Sequence, residues 1–140
     1  MIDKAKHDDL EAIYKLVCTL EKTQINKERF VRLYNESLTN DDIYYFVYRQ
    51  DYQVVGYISF YIHHYLHHQH DTGEIIELIV DENYRSQKIG DQLIRHVEAF
   101  AKQLQLEEIE LSTSTYRKKA HRFYEAHGYI KDHYNYTKDL

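Results

Sequence analysis

The chain has 140 residues, 43% of them apolar and 29% charged, which is the composition of one globular domain and excludes a disordered segment. A net charge of −5 argues against a nucleic-acid partner, and the single cysteine, Cys18, excludes an internal disulfide scaffold. No run is long and apolar enough to be a membrane span and the N-terminus lacks an apolar signal core, so a cytoplasmic protein with no membrane partner is expected.

The first residues, MIDKA, read as a short edge strand. Asp8, with Glu11 three residues on, reads as the cap of an amphipathic helix reaching Glu21, and Cys18 falls on its core side as a packed thiol. A second helix is expected over Asn26 to Leu38, with Phe30, Leu33, Tyr34 and Leu38 on one face. IYYFVYRQ and QVVGYISFYI follow as an antiparallel hairpin turning between Gln50 and Gln53. EIIELIV, Glu74 to Val80, reads as a central strand. Lys88 to Leu104 places Ile89, Leu93, Val97, Phe100 and Leu104 at helical spacing, and EEIELST is another strand. A last helix runs from Tyr116 to His127 with Gly128 at its left-handed cap, and a closing strand is expected from Tyr129 to Thr137. This order indicates an α/β (α+β) domain built on one mixed sheet.

Residues 63 to 70 read HHYLHHQH. On a helix, His63 with His67 and His64 with His68 would each share a face and could chelate zinc. The preceding run favours a strand, in which residues four apart lie about 13 Å from each other, too far to share one ion. The ligand spacing therefore does not support a metal site, although histidines remain compatible with a divalent ion, and a solvated hairpin end is expected.

LIVDENYRSQKIG, Leu78 to Gly90, ends a buried strand, turns, and opens a helix. Amides at a helix start point outward without partners and the helix dipole adds positive potential, so this turn suits a pyrophosphate, with Arg85 and Lys88 adding charge. From the turn alone, an uneventful connection is equally admissible.

Val80-x4-Arg85-x-x-Lys88-Ile89-Gly90 resembles the acetyl-CoA loop of the GNAT family of N-acetyltransferases, and Ala120-x-x-Phe123-Tyr124-x-x-x-Gly128-Tyr129 resembles that family's second signature. The likeness covers essentially the whole chain. It implies a single acetyltransferase domain over residues 1–140, with a splayed mixed sheet of about six or seven strands and about four helices. Two positions depart from the pattern: Lys88 stands where the loop usually carries glycine, and Arg117 where asparagine is frequent. A narrower likeness, carried by LHH, GEIIELIV, ELST, AHRFY, HGY and TKDL, is to the aminoalkylphosphonate N-acetyltransferases.

The resemblance implies acetyl-CoA as cosubstrate, held by Ile79, Val80, Arg85, Ser86, Gln87, Lys88, Ile89, Gly90, Asp91 and Arg117, with direct attack of a small primary amine on the thioester. Tyr124 is the expected acid for the departing thiolate, since an ordinary phenol titrates near ~10 and is protonated at neutral pH. Glu77, a carboxylate in mid-strand, is the expected base, directly or through water, with a carboxylate satisfied by a neighbouring basic group as the alternative; Glu74, three residues away, should face the opposite side of the sheet and serve the amine or a structural partner. His64, His67, His68 and Arg117 are expected to receive a phosphonate. The alternatives are another small amine (a polyamine, amino acid or aminoglycoside) and an acetyl-CoA-binding sensor without turnover. A homodimer is left open.

Overall fold

The computed structural model describes residues 1–140, in which Met1–Glu110 form one compact unit and Leu111–Leu140 a second. In chain order the first contains β1 (Ile2–Lys4), α1 (Leu10–Glu21), α2 (Lys27–Leu38), β2 (Ile43–Gln50), β3 (Gln53–His63), β4 (Thr72–Val80) and α3 (Ile89–Gln103). β5 (Ile109–Leu111) spans the boundary, with Leu111 the first residue of the second unit, and the sheet order is β1-β2-β3-β4-β5. The pairings from β1 to β4 are antiparallel. Next to β4, the Glu107 amide donates to the Asp71 carbonyl (2.8 Å) and the Gly73 amide to the Glu108 carbonyl (3.0 Å). These contacts advance together along both segments, the parallel sense that a helical crossover permits. The sheet is therefore mixed, as expected, with five strands rather than six or seven.

α1 and α2 pack on one face. Ile13, Leu16 and Val17 of α1 and Tyr34 of α2 form an apolar cluster with Val47, Tyr57 and Ile79 of the sheet, with Phe30 and Leu38 against its margin. Leu33, expected on the same side, stays outside it. Asn26 caps α2 by accepting the Arg29 amide at 2.8 Å. The entry to α1 differs from expectation, because Asp9 rather than Asp8 carries the polar contacts. Asp9 is 6% exposed and accepts the Lys6 amide (2.8 Å) and both terminal nitrogens of Arg49 (2.8 and 2.7 Å). Burial alone would raise the Asp9 carboxyl, but the Arg49 hydrogen bonds, the Lys6 amide and the guanidinium charge outweigh it and hold the group below its ordinary value.

α3 covers the other face with Ile89, Leu93, Ile94, Val97 and Ala101 buried. Phe100 meets the rings of Tyr44, Phe46 and Phe60 at 4.7, 5.5 and 6.3 Å. The first turn of α3 sits directly over Gly56 of β3: a Cβ there would lie 2.9 Å from Ile89 Cγ2 and 3.1 Å from Leu93 Cδ1. Only a residue without a side chain lets the helix start come this close to the strand.

The second unit holds α4 (Lys118–Ala126), which begins two residues later than expected because Arg117 is not helical (φ −85, ψ 70). Its end follows the expectation: Gly128 takes φ +90, its amide bonds the Glu125 carbonyl, and the Tyr129 amide bonds the Tyr124 carbonyl. The closing strand does not form. Residues 129–140 have no regular structure, and Ile130, Tyr134 and Tyr136 are exposed. Aromatic content favours a strand only when the segment also gains a ladder and a covered face.

Two stability outcomes follow from these contacts. Gly56→Ala should cost about 1–3 kcal/mol by overpacking against Ile89 and Leu93, read as a lowered Tm. Because the folded Asp9 value is depressed, its contribution is present above the ordinary carboxyl value and lost as pH falls through the folded one. Asp9→Asn should therefore lower stability at neutral pH and flatten the acid limb of a stability–pH curve.

Candidate active site

The register between β3 and β4 contains one irregular step: Phe60 pairs with Ile75, but Ser59 pairs with Glu77. Ile76 is therefore an extra residue, a β-bulge, and is 40% exposed. Directly paired residues point the same way, so Glu74 opposite Tyr61 and Glu77 opposite Ser59 lie on one face. Strict alternation had placed the two carboxylates on opposite faces; the bulge cancels that half-turn. They join Tyr57, Ser59, Tyr61 and His63 on the face that carries the α1–α2 cluster, in a polar row continuing beyond it.

Within the row, Glu77 Oε1 accepts from Ser59 Oγ at 2.5 Å and from Tyr57 at 3.2 Å. Burial first, and then the Glu77 charge, push the Tyr57 phenol well up, so it remains a donor. Burial likewise raises Tyr61. His63 Nε2 lies 2.8 Å from Glu74 Oε1, and ligand atoms of His63, Glu74 and Glu110 all fall within 4.8 Å of one another. These three groups could hold a divalent cation; the HxxxH spacing points to His63 but pairs it with His67, and it gives no sign of Glu74 or Glu110. Thr72, on the same face, has a buried hydroxyl with no hydrogen-bond partner.

The remaining histidines occupy the loop after β3 rather than a helix, so the twin HxxxH pairs do not form. His64 lies between Asp71 (2.9 Å) and Asp42 (3.1 Å), and hydrogen bonds to Asp71 and Asp42 raise its pKa. His68 is raised by its hydrogen bond to Glu107 at 2.6 Å, which lowers Glu107 in turn. The His67 ring lies tilted against those of His68 and Tyr65, with ring centres 4.5 and 5.4 Å away. The hairpin end is thus pinned by imidazole–carboxylate pairs above the carboxylate row.

At the other end of β4, the Asp81 amide donates to the Val55 carbonyl. Successive strand amides alternate, so the Ile79 amide also faces β3, whereas the Val80 amide points to the outer edge, where β5 is only three residues long. Of Ile79 and Val80, both expected to hold acetyl-CoA, Val80 is the one whose amide is directed outward. Arg85 folds back with Nε 3.4 Å from the Val80 carbonyl, and Asp91 pairs with Arg95 at 3.2 Å. Ser86 and Lys88 both take positive φ, 73 and 59. Lys88 occupies the N-cap of α3 but makes no side-chain cap bond. The first helical amides at Ile89 and Gly90 have no carbonyl one turn earlier, and no cap side chain covers them, which suits a pyrophosphate. A groove of about 490 Å³ lined by Lys15, Arg49, Gln53 and Asp81 among others lies at the start of β3, away from the carboxylate row.

In the second unit, Tyr124 is half-buried, with Phe123 at 5.3 Å and Tyr129 at 6.1 Å between ring centres. Burial raises its phenol, while the charge of Arg117 pulls it back. The guanidinium of Arg117 lies 5.7 Å from the Tyr116 ring centre.

Residues 8–129 match the Acetyltransferase (GNAT) family. The chain belongs to that family. It is 38% identical over 136 residues to the aminoalkylphosphonate N-acetyltransferase of Salmonella typhimurium, covering 97% of this chain and 88% of that protein. Among solved structures it resembles a transcriptional regulator from Bacillus halodurans C-125 (TM-score 0.92, 24% identity, 100% of this chain and 99% of that one). It also resembles an aminoglycoside acetyltransferase from an uncultured soil metagenomic sample (TM-score 0.83, 19% identity, 100% and 95% covered). At those identities the structural likeness speaks for the fold alone. As a GNAT member, the protein is an acetyl-CoA-dependent N-acetyltransferase with acetyl-CoA as cosubstrate. No helix is long and apolar enough to cross a membrane.

The left-handed conformation of Lys88 costs a non-glycine residue roughly 1–2 kcal/mol. Lys88→Gly should therefore raise urea-measured stability by about 1 kcal/mol, while Lys88→Ala should not.

Proposed function

We propose that this GNAT member acetylates the primary amine of a small aminoalkylphosphonate. The observation that carries this reading is the 38% identity, across nearly the whole chain, to a protein named for that activity. The polar row and the loop after β3 together offer the two kinds of group such a zwitterion needs. Glu74, Glu77 and Glu110 suit an ammonium, and the hairpin-end imidazoles His64, His67 and His68 suit a phosphonate that takes over from the carboxylate partners of His64 and His68; in the second unit, Arg117 is a further cation for the same ligand class. The cytoplasm is the expected setting.

In this reading Glu77 takes the ammonium proton, directly or through one water, using Oε2, because Oε1 already accepts two hydrogen bonds. The Val80 amide donates to the carbonyl oxygen as it gains charge. Tyr124, its phenol raised by burial, delivers a proton to the departing thiolate. Arg85, the Ser86–Lys88 turn and the first amides of α3 hold the pyrophosphate.

The test is thiol release from acetyl-CoA over a panel of aminomethyl- and aminoethylphosphonate, spermidine, amino acids and an aminoglycoside, with and without a divalent metal. Turnover concentrated on the phosphonates is expected. Faster turnover of spermidine or the aminoglycoside would replace the acceptor and assign the carboxylate row to a polycation. Tyr124→Phe should lower kcat by roughly 10²-fold with little change in the KM for acetyl-CoA.

A further inference from the structure

We propose that Ser59 is a positioning residue of the acetyl transfer: its hydroxyl closes the backbone gap at the Ile76 bulge and, in the same arrangement, locks the Glu77 carboxylate with one oxygen turned toward the amine. This rests on the reading of Glu77 as the base.

Ser59 is completely buried on a strand whose neighbours on both sides, Ile58 and Phe60, are also fully buried. A hydroxyl at such a position is costly unless both its donor and its acceptor capacity are used. Both are. Ser59 Oγ accepts the Glu77 amide at 2.9 Å and donates to Glu77 Oε1 at 2.5 Å. A serine hydroxyl has one proton, so the direction of the two bonds is fixed. The first bond gives the Glu77 amide a partner at the irregular step of the ladder. The second is short, as an O–H donor to an ionised carboxylate should be.

The consequence lies in what is left over. Tyr57 also donates to Oε1, so that oxygen holds two donors, while no protein hydrogen bond engages Oε2. A glutamate side chain has three rotatable bonds and would otherwise sweep an arc of several ångströms. Tied at its amide and at Oε1 to the same hydroxyl, it presents Oε2 in one direction. A displacement of about 1 Å at a reacting group can cost roughly 10²-fold in rate, so fixing this oxygen matters for turnover rather than for binding. Tyr57 plays a lesser part, since its contact is longer at 3.2 Å. Alternation in β3, Tyr57-x-Ser59-x-Tyr61-x-His63, places this hydroxyl in the polar row.

The test compares wild type with Ser59→Ala, Ser59→Thr, Tyr57→Phe, Glu77→Gln and the Ser59→Ala/Glu77→Gln double variant, using acetyl-CoA and the fastest amine of the panel. Steady-state kinetics, acetyl-CoA affinity and Tm are measured for each. Ser59→Ala should lower kcat roughly 10- to 100-fold with both KM values within about threefold, and Ser59→Thr, which keeps the hydroxyl, should recover most of the rate. Glu77→Gln should remove most activity, and adding Ser59→Ala to it should lower the rate no further, because the two act as a unit. If Ser59→Ala does not fold, Ser59→Thr with near-wild-type kcat and Tyr57→Phe with a several-fold lower kcat at unchanged KM carry the same expectation. Full kcat in Ser59→Ala beside an inactive Glu77→Gln would overturn the positioning role and leave the base standing. Full kcat in Glu77→Gln would overturn the base and this inference with it.

Discussion

The β3–β4 ladder gains one residue at Ile76, and the placement of the candidate chemistry depends on it. In a regular strand, two glutamates three apart serve opposite faces. The extra residue restores their parity, so Glu74 and Glu77 share one face with Tyr57, Ser59, Tyr61 and His63. A bulge disturbs the ladder and leaves an amide to be satisfied by other means. Here a buried serine supplies the acceptor, which ties the structural irregularity to the orientation of a carboxylate.

The opposite end of β4 is organised by a different constraint, the closeness of α3 to the sheet. Gly56 lets Ile89 and Leu93 settle against β3, and that contact fixes where the first turn of α3 presents its amides. Entry to the helix passes through positive φ at Ser86 and Lys88, conformations that glycine adopts without strain and these residues do not. Helix burial through Leu93, Ile94 and Val97 is large compared with that strain, at roughly 1.5–3 kcal/mol for each buried side chain. The packing of the core thus holds the loop in a shape its own sequence disfavours.

Most of the fold was legible because it rests on local signals. Helical spacing of Ile89, Leu93 and Val97 and Gly128 after α4 each express backbone geometry within a few residues. The family followed from two motifs in order. The facing of Glu74 and Glu77 was not legible, since a bulge is a property of a pair of strands and no single residue announces it. HHYLHHQH reads as a hairpin end and is one, but the partners of His63 were hidden for the same reason. Spacing along HHYLHHQH pointed to pairs four apart, whereas the structure joins His63 to Glu74 on the next strand and Glu110 on the one after. Ser59 carried a weak signal, a hydroxyl inside an otherwise apolar strand. The closing strand over Tyr129 to Thr137 failed because its pattern specifies a preference and not a partner.

The most direct test of the account is a crystal structure with CoA and an aminoalkylphosphonate bound together. The account predicts the amine nitrogen on the Glu74–Glu77 face, within about 3.2 Å of Glu77 Oε2 or one water away, with Oε1 still held by Ser59. An amine bound on the other face of β4, or a Glu77 carboxylate turned away from Ser59 toward bulk solvent, would contradict it.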